Sequence, residues 1–133
     1  MSERERALTR RYWQSIGGTL IEEFQVVSAS PTNGHRRLDG LIVLDGQFRR
    51  TRKRDVSIQD RDVIVVQTKS HSLDLTLLGQ TFFGAELLCD HYQPASIRLV
   101  ALCTGHDSAL EQMLRRFPSV EVVVLTSEPL TLC

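Results

Sequence analysis

Leu8, Tyr12 and Ile16 recur at helical spacing, with Ala7 and Trp13 flanking the stripe, and predict an amphipathic first helix. Ser2-Glu3-Arg4-Glu5 ahead of it has the capping-box pattern, in which Glu5 returns a bond to the Ser2 amide. Gly17-Gly18 ends it, because glycine tolerates the left-handed turn a helix terminus needs. Residues 19–27 then alternate partially and are rich in β-branched and aromatic side chains, which predicts a strand. The Ser-Pro-Thr-Asn-Gly stretch within 28–37 is turn chemistry. A second strand spans 38–44 and is closed by Asp45-Gly46. A long polar connection follows.

Residues 62–69 form a third strand. Val63-Ile64-Val65-Val66 is a run of four β-branched residues, as expected of a strand buried on both faces near the sheet centre. From Leu73 to about Tyr92 the pattern turns helical, with Gly79 and Gly84 inside it. Each glycine costs about 1 kcal/mol against alanine in a helix, so both are expected to mark close packing. Residues 97–103 read as a fourth strand. Ser108-Ala109-Leu110-Glu111 reads as a second capping box opening a short helix to Arg116, and 120–125 as the last strand. The order α-β-β-β-α-β-α-β, hairpin-linked first and crossover-linked later, predicts an α/β fold with a mixed central sheet and helices on both faces.

The 133 residues fit one domain, 1–133, with no internal repeat or linker. Apolar residues at 41% and charged residues at 24% exclude the disordered and fibrous classes. No apolar run reaches the roughly 20 residues of a membrane helix, and the charged N-terminus is not a signal peptide. Cys89, Cys103 and Cys133 form no CxxC pair and read as reduced thiols, so a cytoplasmic protein is expected. A net charge of zero argues against bulk coating of nucleic acid. The distribution is less even. Arg49, Arg50, Arg52, Lys53 and Arg54 form a basic run, and Arg36-Arg37 and Arg10-Arg11 form smaller clusters. Such a run is either a solvated loop that repels itself open or a segment that follows a phosphate backbone.

Strand periodicity places Gln67 and Lys69 on one face with Val63 and Val65. A buried row that changes to an amide and an ammonium must open into a cleft or meet an anion, because an unpartnered buried charge is costly. Lys69 as a merely solvated strand end is the plain alternative. Asp39, on a row with Leu41 and Val43 at the start of the preceding strand, comes beside Gln67 and Lys69 in an antiparallel hairpin. Its alternative is a turn residue before Gly40.

An aspartate on one strand, then an acid or amide, any residue and lysine on the next, in this element order, resembles the PD-(D/E)XK nuclease superfamily. Gln67-Thr68-Lys69 looks like the glutamine variant of Mrr-type restriction endonucleases, and Gln80 to Leu88 is similar to the helix that follows the motif there. The resemblance implies a restriction-endonuclease-like core and a metal-dependent endonuclease acting on DNA. The cofactor is then Mg²⁺ or Mn²⁺, held by Asp39, the Gln67 amide oxygen, the Thr68 carbonyl and a glutamate of the first helix. It also implies that Lys69 orients the attacking water, with Gln80 positioning the lysine or touching the scissile backbone. Glu5, on the Leu8-Tyr12-Ile16 stripe, is the expected glutamate. Its rival is Glu22, an acid that on a straight strand shares a row with Leu20, Phe24 and Val26. The small size implies a homodimer or one component of a larger nuclease system.

Two departures stand out. The interval from Asp39 to Gln67 makes the basic run an insertion at a hairpin tip. Glutamine also lacks the charge that a hard cation prefers, so a catalytically inactive nuclease-fold module for nucleic-acid binding or assembly is the alternative function. His71, just past Lys69, is within reach of the site, but a loop histidine is more often only solvated. The Thr104-Gly105-His106-Asp107 turn is a weak anion-site signal at a helix N-terminus.

Overall fold

Ser2 caps the first helix, α1 (Glu3–Ile16), by the reciprocal pair its sequence requires. The Glu5 amide donates to Ser2 Oγ at 3.1 Å, and the Ser2 amide donates to Glu5 Oε1 at 3.1 Å. The computed structural model describes residues 1–52 and 56–126, so Lys53, Arg54 and Cys133 lie outside the described residues. After α1 come β1 (Thr19–Val27), β2 (Arg36–Val43), β3 (Arg49–Thr51), β4 (Asp62–Thr68), α2 (Leu75–His91), β5 (Ser96–Cys103), α3 (Ser108–Met113), a 3-10 turn (Leu114–Arg116) and β6 (Val120–Val124). The six strands form one mixed sheet in the order β3-β1-β2-β4-β5-β6. β1, β2 and β4 are antiparallel neighbours, whereas β4-β5 and β5-β6 are parallel and are joined across helices.

One core lies between the sheet and α2, built on Leu41, Val63, Val65, Leu77 and Leu88. The other lies beneath α1, built on Leu8, Tyr12, Trp13, Ile42, Ile64 and Val100. β4 feeds alternate residues to both, which is why its sequence is apolar without alternation. Each such side chain contributes roughly 1.5–3 kcal/mol by leaving water.

Three expectations from the sequence are corrected. The basic run is not wholly a loop: Arg49–Thr51 adds to the sheet edge as β3, parallel to Thr19–Ile21 of β1. Two ion pairs hold it there, Arg50 to Glu22 at 3.6 Å and Arg52 to Glu23 at 3.2 Å. The cap of α3 is Asp107 rather than Ser108. Its carboxylate accepts from the Leu110 amide at 3.0 Å, and Glu111 accepts from the Asp107 amide at 3.1 Å.

The third correction concerns the β1 and β2 rows. Leu20 and Glu22 belong to the α1 side, but Phe24 and Val26 join Ile21 on the α2 side. Glu23 sits at φ 52°, a left-handed conformation that turns the strand and resets its alternation. The same reset occurs opposite on β2, where Leu38, not Asp39, continues the row of Leu41 and Val43.

Candidate active site

The β2-β4 ladder ends at Gly40 opposite Val66, although β4 runs on to Thr68 and β2 begins further out, at Arg36. There the side chains take over the pairing. The Asp39 amide donates to Gln67 Oε1 at 3.0 Å, and the Thr68 amide donates to Asp39 Oδ2 at 2.8 Å. Two rungs of backbone pairing are thus replaced by side chain to backbone bonds. The exchange holds Asp39 and Gln67 together and leaves the other Asp39 oxygen with no partner in the ladder. Gly40 is a strand residue, not part of a turn. A Cβ there would meet Thr9 Cγ2 and Leu20 Cδ1, both at 3.1 Å, so the glycine admits α1 against the sheet. Thr9 fixes that approach, its hydroxyl lying 2.7 Å from Thr68 Oγ1 while also donating to the Glu5 carbonyl at 2.8 Å.

This docking carries the first turn of α1 to the open end of β2 and β4. Asp39, Gln67, Lys69, Glu5 and Gln80 line one cleft of about 480 Å³, with Arg36 and Arg37 also in its wall. Gln67 is buried, Asp39, Lys69 and Glu5 are half-buried, and Gln80 is exposed. Burial pushes the Asp39 carboxyl above its ordinary range. The Thr68 amide opposes that shift, the nearby Glu5 charge adds to it, and Lys69 and the N-terminal amine oppose it. Glu5 therefore does two things: it caps α1 and it faces Asp39 across the cleft.

Glu22 is placed elsewhere. It is 4% exposed and bound by Arg10, Nε at 2.9 Å and Nη2 at 3.1 Å. Burial pushes this carboxyl up, but the Arg10, Arg50 and Arg52 guanidiniums outweigh burial and hold it below the ordinary carboxylate range. It is an ion-pair anchor for α1 and β3. Arg37 lines both the main cleft and a smaller depression that includes Arg52. His71 is exposed, with Nδ1 2.9 Å from the Ser72 carbonyl and 3.7 Å from Asp74, and it is not part of the cleft wall. His106 faces Glu111 at 3.0 Å, while the Thr104 amide donates to the His71 carbonyl and the Gly105 carbonyl accepts from the Leu73 amide, so the 104–107 turn already uses these groups within the fold.

Compared with protein-family models, curated proteins and solved structures, the chain matches none. The site's chemistry rests on its own geometry. Among the described residues no three His, Cys, Asp or Glu side chains gather to hold a metal. Gln67 lines the same cleft as Asp39 and Glu5, with its Oε1 taken by the Asp39 amide. Two carboxylates with neutral oxygens still suit Mg²⁺, which keeps several waters and takes one or two carboxylates. Sequence reasoning missed Phe83, which is 66% exposed in the wall of the cleft. Its position, four residues after Gly79 on α2, was the available signal.

Proposed function

We propose that this chain is a metal-dependent nuclease of the PD-(D/E)XK type, cleaving phosphodiester bonds in DNA at the Asp39–Lys69 cleft. The observation that carries the reading is the paired bond between strand ends, Asp39 amide to Gln67 and Thr68 amide to the Asp39 carboxylate. It sets an aspartate and a Gln-x-Lys segment at the mouth of one cleft whose wall includes Arg36 and Arg37. The run α1-β1-β2-β4-α2-β5 around it has the element order of a restriction-endonuclease-like core, with β3 as an edge addition.

Asp39 and Glu5 are the residues that would hold Mg²⁺ or Mn²⁺, with the Thr68 carbonyl and Gln67 beside them. When bound, such an ion supplies Lewis acidity to a phosphate oxygen and acidifies water. Gln67 fixes the Asp39 backbone through its amide oxygen, so the carboxylate keeps its aim. Lys69 offsets the charge that builds on the phosphate oxygens and orients the attacking water. Gln80 faces the same space from α2. The small size makes a homodimer or one component of a larger nuclease system the expected working form. No helix among the described residues is long and apolar enough to cross a membrane. Cys89 and Cys103 are free thiols, as suits a cytoplasmic protein.

A non-catalytic module is the second reading. What favours it is that the Gln67 oxygen is already engaged by the Asp39 amide and brings no charge. Nicking of supercoiled plasmid in Mg²⁺ or Mn²⁺, with EDTA as the blank, decides between the two. Wild type nicks, Lys69→Ala loses nicking by at least about 100-fold, the scale of a removed transition-state donor, and Gln67→Glu keeps or raises it. Wild type and Gln67→Glu both inert on duplex, branched and single-stranded DNA would leave the binding module standing.

A further inference from the structure

Phe48, Leu75, Phe83 and Phe117 are the large apolar side chains that stand exposed among the described residues, and Phe83 alone of them lines the cleft. Its ring packs edge-on against Phe82, with centroids 5.3 Å apart and planes at 89°. One turn earlier, Gly79 lines the same cleft, and a Cβ built on it meets nothing within 4 Å. Gly84 shows what a packed glycine on this helix looks like: its Cβ would stand 2.9 Å from Leu38 Cδ2. Gly79 has no such neighbour, so the helix bears the propensity cost of a glycine without packing anything of its own. An open glycine, an exposed aromatic face and the cations Lys69, Arg36 and Arg37 line one space. That combination is complementary to a ligand with an anionic backbone and flat apolar faces.

We infer that Phe83 and Gly79 form a subsite for an unstacked nucleobase, so that the substrate class is single-stranded or unpaired DNA. The inference rests on reading the cleft as a phosphodiester site. Bases inside a duplex have both faces covered, whereas an unpaired base stacks on an exposed ring irrespective of sequence. The bare Gly79 backbone lets the strand pass close to α2, and Arg36 and Arg37 meet its phosphates. An apolar groove shared by Leu75, Phe83 and Phe117 runs on from the cleft, so a second copy docking on Phe83 is the competing occupant.

The test is fluorescence anisotropy of the full chain with a short labelled oligothymidylate and a blunt hairpin duplex, both in EDTA so that no metal-dependent cut occurs. Wild type binds the single strand more tightly. Phe83→Ala weakens single-strand binding about tenfold, within the span of one base–aromatic stack, and leaves duplex binding unchanged. Phe83→Trp keeps affinity, and its indole fluorescence is quenched by the oligonucleotide. Gly79→Ala raises the melting temperature yet weakens single-strand binding, a pair of opposite signs that a purely structural glycine does not give. An unquenched Phe83→Trp at saturating oligonucleotide overturns the subsite alone, with Lys69-dependent nicking untouched. A fall in oligomeric state in Phe83→Ala with unchanged oligonucleotide affinity overturns it in favour of a second copy. Wild type binding neither oligonucleotide overturns the subsite and the phosphodiester reading together.

Discussion

At the scale of single residues, Asp39 shows a conflict between folding and chemistry. Burial pushes its carboxyl upward, so the folded chain binds that proton more tightly than the unfolded one. Protonated Asp39 therefore favours folding, and the benefit is lost as pH rises through the raised folded value. At neutral pH the ionised group is a net strain on the fold. Asn keeps an oxygen to accept the Thr68 amide at the distance of 2.8 Å seen now. Asp39→Asn should accordingly melt a few degrees higher than wild type at pH 7, with the gap closing as the buffer is made acid. Mg²⁺ should raise the wild-type melting temperature, since a ligand that binds only the folded state stabilises it, and leave the variant where it was. Thermal melts across pH with and without Mg²⁺ check both. A variant less stable than wild type at neutral pH would mean that Asp39 is a structural carboxylate.

At the scale of elements, two glycines on α2 that look alike in sequence part company in space. A Cβ at Gly84 would also come within 3.3 Å of Gln67 Nε2, so α2 reaches the sheet at the very place where the candidate site is built. Gly84→Ala gains about 1 kcal/mol of helix propensity but must displace buried Leu38 or Gln67. The expected result is a loss of nicking larger than any change in melting temperature, because Gln67 fixes the Asp39 backbone. Nicking unchanged in a stably folded Gly84→Ala would detach Gln67 from the site. The elements themselves were legible. The helical period of α1, the β-branched runs of β1, β4 and β5 and the turn and cap residues between them are local chemistry. The reset of the β1 and β2 rows was not, because it hangs on a left-handed Glu23 that no local signal requires. Strict alternation hence assigned Glu22 and Asp39 the wrong neighbours, while the hairpin argument still brought Asp39 beside Gln67.

At the scale of the whole molecule, a neutral chain with clustered arginines left open which of them face a ligand. Pattern showed the clusters but could not show that buried Glu22 and half-buried Glu23 would claim Arg10, Arg50 and Arg52, since those pairings join α1, β1 and β3 across long stretches of sequence. Arg36 and Arg37 lie instead in the cleft wall. The two groups should separate cleanly by experiment. Neutralising Arg36 and Arg37 together should weaken DNA binding and flatten its dependence on salt. The slope should fall by about 0.9 log units for each duplex phosphate no longer neutralised, or about 0.7 on a single strand. Arg50→Gln and Arg52→Gln should lower thermal stability instead, as β3 loses its ties to β1, and leave the salt slope nearly intact. The cost at Arg50 should be modest, about 1 kcal/mol, because the pair is long and Arg50 is itself well exposed. Anisotropy titrations at several salt concentrations, paired with melts of the same proteins, read both quantities. A flattened slope in the Arg50 and Arg52 variants with unchanged melting would return these arginines to the DNA path and make their ion pairs incidental.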